Sequence, residues 1–87
     1  MTHMLIVHKV ADFARWKVAY DAHAPVRQKA GLKEKYLLRN VADPSEVVIL
    51  FEAEDLKRAQ EFGASANLRE TMHKAGVVGV PSVSFLS

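Results

Sequence analysis

One segment, EVVILF at positions 46–51, restricts the possible folds more than any other part of this 87-residue chain. Its apolar residues occupy both alternating positions, with Val47, Ile49 and Phe51 on one parity and Val48 and Leu50 on the other. Successive side chains of a β-strand point to opposite faces of a sheet, so both faces of this strand are apolar. The sheet that contains it therefore has to be covered on both sides.

This strand is predicted to belong to a β-hairpin that runs from Tyr36 to Ala53. Its turn is placed at Ala42–Ser45, because Asp43 and Pro44 are typical turn residues and proline cannot donate to a strand ladder. A further strand is predicted at each end of the chain, His3–Val10 and Ser82–Leu86, and the Gly- and Pro-containing segment 77–81 is predicted to be a connection before the last strand.

Two helical regions separate these strands. The first is predicted between an N-cap at Asp12 and Gly31, with a kink near residues 22–24, because Pro25 removes a backbone hydrogen bond inside the helix. The second begins after Asp55 and is expected to break near Ser65, which is a natural N-cap for a further helical segment up to Lys74.

The predicted order is strand, helix, strand, strand, helix, strand. This order is typical of an α+β, ferredoxin-like βαββαβ sandwich, in which both helical regions lie on one face of a four-stranded antiparallel sheet. One domain is predicted over residues 1–87. The second sheet face is left bare, and its apolar side chains favour a homodimer that pairs sheet to sheet as a dimeric α/β barrel.

Composition excludes several classes of function. Twelve basic and ten acidic residues leave a net charge of +2, which is too small and dispersed for a nucleic-acid interface. The chain has no cysteine, which excludes thiolate catalysis and fits a reducing compartment. The apolar run 4–7 is too short for a signal peptide, so we expect a cytoplasmic protein without a membrane segment. The four histidines lack metal-ligand spacing, and no metal site is predicted.

The best candidate site is a stripe on the first helix that contains Trp16, Tyr20, His23 and Arg27. Aromatic walls with a few polar groups suit a small-molecule ligand. Alternatively, Trp16 and Tyr20 anchor the core while Arg27 lies along the surface. His8 interrupts an apolar parity of the first strand, so it either points into a pocket or forms a buried hydrogen bond at the dimer interface.

Tyr36 and Arg39 are further candidate ligand-binding residues. They lie on opposite parities of one strand, so only one of them faces the helices unless a bulge intervenes. Arg39, together with Asn40, could hold a carboxylate or enolate oxygen. The alternative for Arg39 is a hydrated strand end or an ion pair with Glu46 or Glu52.

Three segments that span nearly the whole chain resemble the dimeric α+β barrel superfamily, in particular an uncharacterised group related to antibiotic biosynthesis monooxygenases. They are VADFARWKVAYDAHAPVRQKAGL, YLLRNVADPSEVVILFEAEDLKRAQEF and SANLRETMHKAGVVGVP. The resemblance implies a homodimer with a ligand cleft between the helices and the sheet of each subunit. The monooxygenases usually place Trp with Asn in this cleft, whereas here only Trp16 is available and Asn40 and Asn67 have no assigned position.

Two function classes follow. The first is a monooxygenase, cyclase or isomerase that acts without a cofactor on a small enolisable or aromatic compound, with His23 or His8 as base and Arg27 or Arg39 holding the oxygen. The second is a non-catalytic dimeric module that binds a small molecule or is purely structural. Haem binding is a third class, without a convincing axial ligand. A cavity of several hundred Å³ near Trp16 would favour the first class, and a filled interior the second.

Overall fold

In the computed structural model, which describes residues 2–87, the apolar segment 46–51 lies inside a four-stranded antiparallel sheet. The strands are β1 (Thr2–Val10), β2 (Leu32–Arg39), β3 (Glu46–Ala53) and β4 (Val77–Leu86). The helices are α1 (Phe13–Ala22), α2 (Ala24–Lys29), α3 (Leu56–Gly63) and α4 (Ala66–Lys74). The spatial order β2-β3-β1-β4 places β1 and β3 at the centre. This is the predicted ferredoxin-like arrangement.

The helices begin where the sequence predicts. Asp12, Asp55 and Ser65 each accept a hydrogen bond from the backbone N–H three residues later, at 3.3, 3.2 and 3.1 Å. These bonds satisfy N–H groups that have no partner within the first helical turn. The predicted kink is a complete break, since α1 ends at Ala22 and α2 starts at Ala24 with Pro25 in its first turn.

Two strands are longer than the sequence predicts. The hairpin is predicted from Tyr36, but β2 begins at Leu32. A β-bulge at Lys35 lets the strand continue on both sides of this residue. Glu34 pairs with Phe51 and Tyr36 pairs with Leu50, so Lys35 has no partner of its own in β3.

The prediction that 77–81 is a connection is wrong, because these residues are the first half of β4. Val78 pairs with Lys9 and Ser82 pairs with Val7, so Gly79, Val80 and Pro81 together lie opposite a single residue of β1. This irregularity lets a strand include both a glycine with φ of +74° and a proline.

The two sheet faces differ in burial. On the face that carries the helices, paired core residues are almost fully buried, as for Met4 with Phe51 and Ile6 with Ile49. The opposite face has no helix and is half-buried or exposed; we call it the open face. Its apolar residues are Leu5, Val7, Tyr36, Leu38, Val48, Leu50, Val78 and Leu86. On this face β4 also contributes Ser82 and Ser84.

Membrane insertion by a helix has no support in residues 2–87, where no helix combines the length and the apolar character that a span requires.

Candidate functional site

A small cavity lies between the sheet and the helices. Its volume is about 40 Å³. Its floor is formed by Ile6, His8, Ile49 and Phe51, and its walls include Trp16, Tyr20, His23 and Arg27 from the first helical pair and Phe62, Leu68 and Met72 from the second. A cavity of this size holds roughly three water molecules. It is far smaller than the ~300–1,000 Å³ of sites for drug-sized ligands.

His8 lies on the helix side of β1, with only 5% of its surface exposed. Its ring packs edge-on against Trp16, with centroids 5.4 Å apart. Its Nδ1 atom is buried and has no hydrogen-bond partner among the described residues. Of the two predicted alternatives, this position corresponds to the pocket, because His8 lines the cavity on the helix side of the sheet.

His23 occupies the break between α1 and α2. Its Nε2 atom is also buried without a partner in residues 2–87, and its ring lies 6.2 Å from that of Phe62. His23 is one of the residues that line the cavity. His8 and His23 thus border one small chamber, and each has a buried imidazole nitrogen without a partner in residues 2–87, which is rare for buried polar atoms.

Trp16 contacts both His8 and Tyr20, so that these side chains form one continuous wall of the cavity. It is 3% exposed, and its ring stacks on Tyr20 with centroids 4.8 Å apart. The core-anchor alternative for Trp16 is therefore correct as far as packing goes, but the same indole also lines the cavity. Trp16 therefore shields His8, which packs against it, from bulk water.

Arg27 is buried rather than spread along the surface, with 8% exposure. Its guanidinium lies 3.7 Å from the centroid of the Tyr20 ring, and its Nη1 donates to the Tyr20 carbonyl at 2.7 Å. The Tyr20 hydroxyl donates to Glu34 at 2.6 Å. Within residues 2–87, no carboxylate oxygen lies within 4.0 Å of the guanidinium nitrogens. A buried cation therefore borders the cavity without an ionic partner.

Burial shifts the ionisation of this cluster. Loss of hydration lowers the pKa of His8 below its ordinary value of 6.5, so this imidazole is neutral at neutral pH. Burial, followed by the hydrogen bond to Glu34, raises the pKa of the Tyr20 hydroxyl. Burial also lowers the pKa of Arg27, although a guanidinium remains charged in a protein at neutral pH. The chamber thus contains a neutral base and a fixed positive charge.

The other two candidate residues do not line this cavity. Tyr36 lies on the open face with 59% exposure, while Arg39 lies on the helix side, as the parity argument requires. Arg39 packs over the Phe13 ring at 4.0 Å, and its Nε donates to the Pro44 carbonyl at 2.9 Å. The predicted ion pair of Arg39 with Glu46 is wrong, because Asn40 binds that carboxylate at 2.6 Å.

The predicted ion pair of Arg39 with Glu52 is wrong as well. Glu52 is at the other end of β3, where Lys35 binds it at 3.4 Å.

Several cavity residues are not identified by sequence reasoning. Phe51, Phe62 and Met72 contribute to the chamber from three separate elements, and nothing in their local pattern distinguishes them from ordinary core residues. Glu34 lies in a polar KEK run, which gives no signal that its carboxylate binds Tyr20.

Metal binding finds no support in the part of the chain that the structure describes, where no three potential ligand side chains cluster. A larger surface groove of about 400 Å³ lies between α4 and β4, where Arg69, His73 and Val80 form part of its lining. Neither of the two unpartnered imidazole nitrogens belongs to that groove. The small chamber is therefore the better candidate site.

Solved structures share this architecture. A candidate antibiotic biosynthesis monooxygenase from Bordetella bronchiseptica superposes with a TM-score of 0.79 at 16% identity, over 99% of this chain and 94% of its own. The chain has the ferredoxin-like fold of this group. A variant of SnoaB, a cofactor-independent oxygenase from Streptomyces nogalater, has a TM-score of 0.72 at 12% identity, over 99% and 90% of the two chains.

A conserved protein from Methanosarcina mazei is similar to the same degree, with a TM-score of 0.73 at 10% identity, over 98% of this chain and 89% of its own. No protein-family model and no curated protein sequence matches the chain. At these low identities the neighbours establish the fold, and the chemistry has to be argued from the chamber itself.

Proposed function

We propose that the protein is a cofactor-independent enzyme that removes a proton from a carbon next to a carbonyl group in a small molecule. The observation that carries this proposal is that His8 and His23 line the same cavity, and that each has one buried imidazole nitrogen, Nδ1 and Nε2 respectively, without a hydrogen-bond partner in residues 2–87. Proton removal is the first step common to many cyclases, isomerases and cofactor-independent oxygenases. SnoaB, a structural neighbour, is itself described as a cofactor-independent oxygenase.

In this mechanism His8 is the base. Burial lowers its pKa and keeps the imidazole neutral at pH 7, the state in which a histidine can accept a proton from carbon. The electron pair of the broken C–H bond moves onto the carbonyl oxygen and forms an enolate. Arg27 supplies the positive charge that stabilises this enolate, in a chamber from which aromatic side chains exclude water. His23 is placed to donate a hydrogen bond to the substrate or to return the proton.

Solvent deuterium exchange tests this proposal directly. The protein is incubated with acetone in D₂O, and the loss of the proton signals next to the carbonyl is followed by NMR. The wild type should exchange faster than buffer, and His8→Asn should lower the enzymatic rate by about a hundredfold or more, the usual contribution of a general base. His73→Asn, at an exposed histidine of α4, is the matched control and should keep the full rate.

Exchange no faster than in buffer, or equal rates in the wild type and His8→Asn, would overturn the catalytic proposal. His23→Asn separates the two roles. A loss comparable to that of His8→Asn would assign the base to His23 instead.

A second candidate function is a non-catalytic binding or structural module. The specific observation in its favour is the cavity volume of about 40 Å³, which is close to a filled interior. A module of this kind would give no exchange with any small ketone, and its assembly would be unaffected by His8→Asn.

We infer in addition that two copies pair through their open faces into a homodimer. Four strands about 4.8 Å apart and about eight residues long give a face of about 500 Å², so pairing would bury about 1,000 Å² in total. That area is at the lower limit for a specific interface. Tyr36, Leu38 and Leu86 are exposed on this face and support the proposal that a second copy covers it. A contiguous apolar patch of several hundred Å² often marks an interaction site.

We also place the protein in the cytoplasm. The absence of cysteine, which is compatible with a reducing compartment, supports this location. Fractionation of cells that express the full chain tests it, and recovery in a secreted fraction would contradict it.

A further inference from the structure

We propose that the substrate of this chamber is a short-chain carboxylic acid, whose carboxylate forms an ion pair with Arg27. The inference rests on the proposed function and extends it by naming the substrate class. Its structural basis is a buried guanidinium that borders a cavity and has no ionic partner in residues 2–87.

The contacts that Arg27 does make leave its charge uncompensated. One nitrogen binds the Tyr20 carbonyl, and the Tyr20 ring covers one face of the guanidinium. A carbonyl oxygen and a ring face carry only partial negative charge. Asp21 and Glu34 border the same outer pocket as Arg27, and their negative charges act on it through space. Neither carboxylate has an oxygen within 4.0 Å of a guanidinium nitrogen. Because buried charges in proteins are normally paired, an anion is the missing component of this site.

The Glu34 carboxylate is not available to fill this place. It accepts the hydrogen bond from the Tyr20 hydroxyl, which holds it on the outer side of the Tyr20 ring. Arg27 and Tyr20 also border an outer pocket, which is lined by Lys17 and Lys33 and by the carboxylate residues Asp21 and Glu34. Both basic and acidic side chains therefore line the approach to Arg27 from this side.

The cavity volume limits the rest of the ligand. Room for roughly three water molecules corresponds to about 90 Å³ of liquid, which suits a two- or three-carbon acid and excludes a polycyclic compound. A 2-oxo acid fits the chemistry best, because its carboxylate and carbonyl oxygens lie side by side and match the planar donor geometry of a guanidinium. Its enolisable carbon then lies away from Arg27, towards the histidines.

Pyruvate and its neutral isostere pyruvamide form a matched pair of probes. Binding is measured by fluorescence of Trp16, the only tryptophan, which lines the chamber. Wild-type protein should bind pyruvate at least about tenfold more tightly than pyruvamide, as expected for a charge-assisted pair. Arg27→Gln should abolish the preference, and Arg39→Gln, at an arginine outside the chamber, should retain it.

Equal affinities in the wild type, tighter binding of pyruvamide, or no binding of pyruvate at millimolar concentration would each overturn the inference. The wild-type comparison decides this even if Arg27→Gln fails to fold. Both probes carry exchangeable methyl protons, so deuterium exchange separates the two proposals. Equal exchange with equal binding would refute the carboxylate preference and keep the catalytic function, whereas preferential binding of pyruvate without exchange would refute catalysis alone.

Discussion

The substitution Leu50→Lys tests the proposed homodimer at the centre of the open face. Leu50 pairs with Leu5 on β1 and with Tyr36 on β2, so it is surrounded by the apolar residues that a second copy would cover. The side chain is half-buried in a single chain. Pairing would therefore bury up to about a third of its surface, which is worth about 0.5–1 kcal/mol for each copy.

The lysine adds a cost to this loss. Each new ammonium group has to be desolvated or displaced at the interface, at about 1 kcal/mol or more. Since both copies carry the change, the dimer loses about 3 kcal/mol, and its dissociation constant should rise about a hundredfold. The isolated chain should lose little stability, because the stem of the lysine can lie along the open face while its ammonium group reaches water.

Sedimentation equilibrium over a range of concentrations measures this effect. Val18→Lys is the matched control, because Val18 is 72% exposed on α1 and lies away from the open face. Wild type and Val18→Lys should remain dimers at concentrations where Leu50→Lys sediments as a 9.7 kDa monomer. A monomeric wild type, or a Leu50→Lys variant with an unchanged dissociation constant, would refute the assignment of the open face as the interface.

Three further predictions concern the chamber and the turns around it. The pKa of His8 is lowered in the folded state, so the unfolded chain binds a proton more readily. The contribution of His8 to the free energy of unfolding is therefore full above about pH 6.5 and falls as the pH drops below that value. His8→Asn should flatten this part of a denaturation profile measured from about pH 7.5 to 5. Tyr20→Phe removes the hydrogen bond to Glu34 and should cost about 0.5 kcal/mol in urea unfolding, since the pair is partly hydrated, and a cost of several kcal/mol would contradict this partly hydrated environment. Gly31→Ala and Gly76→Ala both force alanine into positive φ, at a cost of about 1–2 kcal/mol each. Only at Gly31 would the new Cβ also lie 3.3 Å from Glu54, so Gly31→Ala should lower the melting temperature more than Gly76→Ala. The reverse order would contradict the described packing.

Local rules were sufficient for most of the fold. Three kinds of short-range signal are sufficient here: the apolar residues on both parities of 46–51, the N-caps at Asp12 and Asp55, and Pro25. They predict β3, the helix starts and a kink where the structure has a break between α1 and α2. The two strands whose predicted starts differ from the structure, β2 and β4, both contain an irregularity in their pairing with the neighbouring strand. A bulge depends on what the neighbouring strand offers, so neither Lys35 nor the segment 79–81 shows it in isolation.

The site is less predictable for a similar reason. The stripe formed by Trp16, Tyr20, His23 and Arg27 follows from helical periodicity, and the structure brings all four to one cavity together with His8. Burial of Arg27 and the volume of the chamber depend on how α3 and α4 pack against the sheet. Such long-range packing leaves no periodic pattern in a single sequence, and so the small size of the cavity is a result of the structure alone.

The most direct test of the central claim, that a small ligand completes the hydrogen bonding of the two buried imidazoles, is an NMR titration of ¹⁵N-labelled histidine side chains. The chain has four histidines, and two of them, His3 and His73, lie outside the chamber and act as internal controls. Addition of pyruvate should shift the ring nitrogens of His8 and His23 and leave those of His3 and His73 in place. Unchanged signals from His8 and His23 at saturating ligand, or equal shifts at all four histidines, would contradict the account.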